Sequence, residues 1–412
     1  MSERVVVTGL GAVSPLGLSA KESWDNAVAG VSGLGPITHF DTTDYLVKIA
    51  CEVKGFDPKD YMPARDARRQ DRFEHMAIAA AREAIEQAGL EITEDNAGRI
   101  GVIVSSAIGG IESLQNGVLT MVKSGPRKVS PFLIPMLMPN GGAGLVGIAY
   151  GCQGPAFSVA SACASGADGM GMAWMMLKAG MIDVAIAGAS EAAITPIGVG
   201  AFDRLGAMSR REDDPMIPQP FDKNRDGLVM GEGAAVLILE LESHARDRGA
   251  EIFAELAGYG STADANHITA PSEDGAGGAK AMKMALDGAG LNPEDVGYIN
   301  AHGTATPLND AAETRAIKAA FGDSAYNIHI SSTKSMTGHM MGATGALEAL
   351  FCVKAVHEDV VPPTINYQTP DPECDLDYVP NQARQIPVKA AISNAFGFGG
   401  HNAVLAVKKY TE

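Results

Sequence analysis

Short runs of β-branched and apolar residues alternate along this chain with longer Ala-rich stretches. The runs Val5–Thr8, Ile100–Ser105, Phe157–Ser161, Asp183–Ala187 and Ala235–Leu239 predict strands. Ile252–Tyr259, Val296–Asn300, Ile328–Ser331, Ala390–Ser393 and Ala403–Val407 continue the rhythm. Between them, Asp71–Ala88, closed by Gly89, predicts a helix, as do the stretch from Ala164 to Ala179 and the segments Gly278–Ala289, Asn309–Ala320 and Ala343–Val356. Apolar strands alternating with helices argue for a layered α/β fold with buried sheets.

The rhythm has a coarse echo. SVASACASGADGMGMA in the first part and ISSTKSMTGHMMGATGA in the second both run from a buried strand through a turn into a helix of small residues. The echo predicts a duplicated α/β unit, with one half over residues 1–250 and the other over 251–412. No Pro- or Ser-rich linker separates them, so the halves are expected to form one compact unit.

Composition narrows the function classes. The chain has 412 residues, 46% hydrophobic and 20% charged, which is ordinary for a globular protein with a large core. A net charge of −17 disfavours non-specific binding to nucleic acid or to an anionic membrane. No apolar run approaches the roughly 20 residues of a membrane span. The start MSERVVVTGLG enters a strand without an apolar leader, so the expectation is a cytoplasmic chain. Five scattered cysteines without a CxxC pair indicate neither a zinc knuckle nor a disulfide framework.

One of those cysteines has a suggestive setting. Cys163 lies where a strand turns into a helix, so the free N–H groups of the helix start are expected to favour its thiolate and to be able to serve an oxyanion. The same residues fit a buried structural thiol, and both readings stand. His302, in HGTATP, and His339, in KSMTGH, each follow a strand end, where open α/β sheets place their sites. Either imidazole there can donate to a developing oxyanion or act as a base. A structural role or a metal site is open to them too, although no Cys or carboxylate stands at ligand spacing. Lys334 is placed to set the local field and to pair with Glu348, and Thr304 and Thr306 offer hydroxyls to a polar ligand arm. Phe398 sits between Gly397 and Gly399, as a hinged gate or as a tight turn carrying a packed aromatic.

The Cys163 turn, HGTATP, KSMTGH and the terminal NAFGFGG occur in an order that resembles the β-ketoacyl-[acyl carrier protein] synthases of bacterial fatty-acid synthesis, above all the type II elongation synthase. The resemblance runs from VVVTGLGAVSPLG to FGFGGHNAVL. It implies a thiolase-like fold, with two duplicated halves in a five-layered α-β-α-β-α arrangement, and a homodimer. It also implies an acyltransferase. Cys163 would take an acyl group from an acyl carrier protein thioester. His302 and His339 would stabilise the enolate formed as malonyl-carrier protein loses CO₂. That carbanion would then attack the thioester and lengthen the chain by two carbons. Lys334, Asp310 and Glu348 would support the site.

The backbone N–H groups of Cys163 and Phe398 are the implied oxyanion donors, with Gly399 beside them. Ile108 and Phe202 would flank the acyl tail, and the partner's 132–138 segment would close the pocket. Arg65, Arg68 and Arg69, with Arg72 one turn on, and Arg127 with Lys128 would dock the acidic carrier. Gly206 stands where the family tends to have a basic residue, with Arg204 nearby, and His401 is a variant without an assigned role. No cofactor or metal is implied beyond the phosphopantetheine that the substrates carry. Four rivals fit less well. A thiolase would need a second catalytic cysteine near the end. An initiating synthase would carry Asn for the second His, and a non-catalytic chain-length partner would lack Cys163. A Cys-His hydrolase would leave the second His and the Phe turn unexplained.

Overall fold

The computed structural model describes residues 3–212 and 214–411. The first part supplies β1 (Val5–Val13), β2 (Ile100–Ser105), β3 (Ala156–Phe157), β4 (Val184–Glu191) and β5 (Gly233–Leu241). The second supplies β6 (Ala254–Ala263), β7 (Tyr298–Asn300), β8 (His329–Ser331), β9 (Ala390–Gly397) and β10 (His401–Lys409). They run in the order β8-β7-β9-β10-β6-β1-β5-β4-β2-β3. Each side has two parallel pairings, at β3-β2-β4 and at β8-β7-β9, followed by antiparallel ones. That repeated order is the duplication expected from the echo. Val6 and Val7 pair with Glu255 and Ala254, so the two five-stranded sets join at β1 and β6 into one continuous sheet.

Six helices set the layers: α1 (Arg72–Ala88), α2 (Gly141–Tyr150), α3 (Ser165–Lys178), α4 (Ala276–Ala289), α5 (Pro307–Phe321) and α6 (Thr344–Glu358). Helix α1 packs on β1, β5 and β4, with α2 beside it; α4 packs on β6 and β10, with α5 beside it. Helices α3 and α6 touch each other and are sandwiched between the two strand sets. The result is the five-layered thiolase-like arrangement. Its largest apolar core surrounds α3 and α6, and a smaller core lies under each outer helix layer.

Local chemistry explains the boundaries. Asp71 caps α1 in a reciprocal box with Glu74, and Gly89 closes it at φ +57°. The strand expected over Phe157–Ser161 stops at Phe157. Beyond it, side chains replace the ladder: Ser106 N–H donates to Ser158 Oγ (3.2 Å) and Val159 N–H donates to Ser105 Oγ (3.3 Å). The pattern also passed over helices at Ile111–Ser124, Leu133–Leu137, Gly141–Tyr150 and Pro196–Arg204. Cys374, in an apparently polar loop, is 1% exposed within the core under α4 and α5.

Candidate active site

The echoed segments form matching turns. Ala162–Ala164 leads into α3 and Met341–Ala343 leads into α6. Each turn opens on a non-glycine residue in the left-handed region, Ala162 at φ +51° and Met341 at φ +48°. Such residues persist only where their surroundings over-determine them. Here Ser165 Oγ accepts from Ser161 N–H (3.0 Å) and donates to Ala162 O (2.6 Å), and Ser161 Oγ donates to the Asp168 carboxylate (2.5 Å). The turns interlock. A Cβ at Gly166 would stand 2.8 Å from Ala346 N and from Gly342 O, and one at Gly345 would stand 2.9 Å from Ala167 N. The turns match residue for residue, with Gly342 where the first turn has Cys163.

Cys163 is 8% exposed and opens into a cleft that His302, His339, Phe202, Thr304, Thr306, Phe398 and His401 also line. The N–H groups of Phe398 and Cys163 donate toward its sulfur. Burial dominates its titration and pushes the thiol up to about 11, against the pull of Lys334 and those N–H groups. This corrects the expectation of a lowered pKa: the helix start is present, but desolvation of the thiolate outweighs it.

His302 leaves the end of β7 and is held from α5. Glu313 accepts from the N–H groups of His302 (2.8 Å) and Gly303 (2.7 Å), and from Asn394 Nδ2 (3.1 Å). Burial raises the Glu313 carboxyl to about 7. The His302 ring lies 5.5 Å from that of His339, nearly perpendicular to it, and 5.7 Å from Phe396. His339 Nδ1 accepts the Met341 N–H (3.0 Å), with Thr344 Oγ1 also near (3.1 Å). A ring nitrogen that accepts a backbone N–H carries no proton, so the His339 proton sits on Nε2. Burial first, and the Lys334 charge second, hold both imidazoles well below their ordinary pKa, so both are neutral at pH 7. Lys334 Nζ donates to Glu348 Oε1 (2.6 Å), and both side chains are about 2% exposed.

The remaining expected residues are spread over the cleft wall and beyond it. Thr304 and Thr306 share a hydrogen bond of 2.9 Å on the cleft wall. The Phe202 ring stacks on Phe398 at 6.3 Å, and Ile108 packs against the apolar cluster of Leu228 and Met341 beside the cleft. Asp310 lies away from the sulfur and accepts the Phe221 N–H (2.7 Å). In the Phe398 turn, left-handed φ values fall on Gly399 and Gly400 and not on Gly397. Gly397 is required by space: a Cβ there would meet Ser161 O at 2.6 Å and Cys163 N at 3.1 Å.

Arg65, Arg68, Arg127 and Lys128 are exposed, and the Arg69 guanidinium lies 4.7 Å over the Phe132 ring. Arg72 departs from this stripe. A short helix ends at Ala67 and α1 begins at Arg72, which turns inward to pair with buried Glu232 (2.7 Å). Gly206 sits at φ +71°, which favours glycine over a basic residue there. Among the described residues no cluster of three or more His, Cys, Asp or Glu is placed to hold a metal, and no helix is long and apolar enough to cross a membrane.

Glu313, Asn394, Thr344 and Phe396 support the histidines; Asn394, Phe396 and Thr344 stand inside the quoted motifs without an assigned role, and Glu313 gave no sequence signal. Glu313 stands in AAETRAIKAA, which reads as a solvated helix face; only the small residues around it mark close packing.

Two like α/β halves that meet at a cysteine and two neutral histidines define a thiolase-like fold of the ketosynthase kind. Residues 2–245 match the family model of the beta-ketoacyl synthase N-terminal domain, and residues 253–368 match that of the C-terminal domain. The chain is 50% identical over 409 residues to 3-oxoacyl-[acyl-carrier-protein] synthase 2 of Synechocystis sp., covering 99% of this chain and 98% of that protein. It is 48% identical over 409 residues to the protein of the same name from Staphylococcus aureus, covering 99% of each. A solved beta-ketoacyl synthase from Burkholderia phymatum superposes with a TM-score of 0.92 at 36% identity, covering 99% of this chain and 100% of that one. A type II polyketide ketosynthase structure, solved with its acyl carrier protein and bound to a hexaketide, also gives 0.92 at 36% identity, with full coverage of both chains. The chain belongs to the β-ketoacyl synthase family.

Proposed function

We propose that this chain is a 3-oxoacyl-[acyl carrier protein] synthase of fatty-acid chain elongation, condensing an acyl group held on Cys163 with malonyl-[acyl carrier protein]. The observation that carries the reading is one cleft holding a thiol between two backbone N–H donors and two neutral imidazoles.

Cys163 attacks the incoming acyl thioester. The acyl carbon–sulfur bond to the carrier breaks, and the thiol proton ends on the departing carrier thiol. The Cys163 and Phe398 N–H groups stabilise the tetrahedral oxyanion. Malonyl-carrier protein then loses CO₂, and the electron pair of the broken bond becomes an enolate. Decarboxylation needs no strong base; it needs donors where the negative charge appears. His339 Nε2–H and the His302 imidazole supply them, while carboxylates at the same place would repel it. The enolate carbon attacks the Cys163 thioester, the product is two carbons longer, and the released thiolate takes a proton from solvent.

Ile108 and Phe202 flank the acyl tail, Thr304 and Thr306 receive the phosphopantetheine arm, and Phe398 with Gly399 forms the turn over the sulfur. Lys334, Glu348 and Asp310 support the site. The reading calls for no separate cofactor and no metal.

The acyl carrier protein docks on Arg65, Arg68, Arg69, Arg127 and Lys128, a local basic surface on a chain of net charge −17. The enzyme works as a homodimer in the cytoplasm, with halves 1–250 and 251–412 in each subunit. Leu119 (59% exposed), Val122 (78%), Ile134 (61%) and Ile148 (79%) form apolar surface that a second subunit would cover.

Mass spectrometry after incubation with a series of acyl-carrier thioesters tests the reading: acyl mass should appear on Cys163 and on no other cysteine. His302→Ala and His339→Ala should each lower malonyl decarboxylation by about 10²–10³-fold, the cost of one preorganised donor. A decarboxylation rate unchanged in both variants would exclude the two-histidine role. Gly397→Ala forces the Phe398 turn off the Cys163 backbone and should slow self-acylation about 10²-fold with malonyl decarboxylation retained, as read by stopped assays of each half-reaction.

A further inference from the structure

Glu191 closes β4 with its side chain fully buried, and the chemistry above makes no use of it. Its Oε1 accepts from Ser106 Oγ (2.8 Å) and the Ile108 N–H (3.3 Å). Its Oε2 accepts from the Ala107 N–H (2.8 Å) and the Gly342 N–H (3.1 Å). Three of these donors belong to the turn after β2, whose Ile108 packs against the apolar cluster that holds Leu228 and Met341, two residues of the cleft wall. The fourth belongs to the turn that follows His339.

Gly342 is the counterpart of Cys163 in the duplicated turn, and its φ is not in the left-handed region. It is glycine for space. A Cβ would come within 2.6 Å of Ala107 N and 2.7 Å of Glu191 Oε2. The missing side chain admits the carboxylate, which in turn ties the two halves at this point.

We propose that Glu191 is a positioning residue whose carboxylate clamps the acyl-pocket turn 106–108 to Gly342 in the histidine turn, so that the wall of the acyl pocket and the placement of His339 are set together. This rests on the condensing function proposed above.

The donors dictate how a substitution acts. Two backbone N–H groups face Oε2 and cannot become acceptors, so the amide of Glu191→Gln must keep its oxygen there. Its NH₂ then replaces Oε1, where the Ser106 hydroxyl can rotate to accept it but the Ile108 N–H loses its partner. Glu191→Gln therefore frees Ile108 from the clamp while the Ala107 and Gly342 N–H groups keep their acceptor. Gly342→Ala drives the two sides apart.

The test measures Cys163 acylation by short- and long-chain acyl-carrier thioesters, and malonyl decarboxylation without an acyl donor, in wild type, Glu191→Gln and Gly342→Ala. Glu191→Gln should shift the long-to-short acylation ratio by about tenfold, with decarboxylation within about twofold of wild type, and Gly342→Ala should lower both reactions. An unchanged chain-length profile in Glu191→Gln would overturn the clamp. So would an equal loss of acylation and decarboxylation together with a lowered melting temperature, which is what a merely structural carboxylate would give. Failure of the wild-type enzyme to acylate Cys163 would instead overturn the functional reading.

Discussion

Cys163→Ala is expected to abolish self-acylation and condensation while the fold persists. Alanine fills most of the space of the buried thiol and disturbs neither Ala162 at φ +51° nor the Ser165 hydroxyl that holds the turn. Cys163→Gln separates the half-reactions. Its neutral amide places a carbonyl near the Phe398 and Cys163 N–H groups, as the acylated enzyme would, so malonyl decarboxylation should persist at or above the wild-type rate. That decarboxylation should also change less than tenfold from pH 6.5 to pH 8, any slope coming from the Glu313 carboxyl at about 7. Both imidazoles are held well below 6.5, so raising the pH through this window removes no proton from either. Radiometric CO₂ release from labelled malonyl-carrier protein measures it. Condensation by the alanine variant at the wild-type rate, or a decarboxylation rate in the glutamine variant that changes tenfold across that window, would contradict the mechanism.

Lys334→Ala should be the most destabilising single change near the site. The Lys334–Glu348 pair is almost wholly removed from water, and removing one member of such a pair costs about 3–5 kcal/mol, because the carboxyl left behind must stay buried as a charge or take up a proton. The pH dependence has a definite sign. Burial already raises the Glu348 carboxyl to about 8, with Lys334 pulling it down; without Lys334 it rises further. A carboxyl raised in the folded state favours folding below its unfolded value of about 4.5, and that contribution is lost as pH rises through the folded value. The penalty, measured against wild type by urea denaturation, should therefore be larger at pH 8 than at pH 5. Lys334→Met combined with Glu348→Leu should recover much of it. A penalty that grows on acidification would show that the pair is not the cause.

What the sequence revealed follows the physics of each element. The strands and the Ala-rich helices were legible because β-branched runs and Ala-rich stretches carry their own periods, and the paired turns because their small residues recur in the same order; Ile111–Ser124, which has no alanine, was passed over. The Phe157–Ser161 stretch was misread because serine hydroxyls, which a strand pattern does not register, take over its hydrogen bonds. Cys163, His302, His339 and Lys334 could be picked out because each stands next to a strand end or within a motif. Glu313 and Glu191 could not, since a buried carboxylate facing backbone N–H groups has the same local sequence as one facing water. Arg72 shows the converse. Its spacing from Arg65, Arg68 and Arg69 reads as one basic stripe, but the Asp71 cap restarts the helix and turns the side chain inward to Glu232.

The crossing at Gly166 and Gly345 has a consequence for how this core tolerates variation. Backbone meets backbone there, with Ala346 N and Gly342 O at the distance where another crossing would interpose side chains. No rotamer stands between the turn that carries the sulfur and the turn that follows His339. Their separation is set by peptide geometry, which does not drift as residues are exchanged. Substitutions elsewhere in the large core can therefore accumulate and reshape the acyl pocket while the spacing between nucleophile and imidazole stays the same.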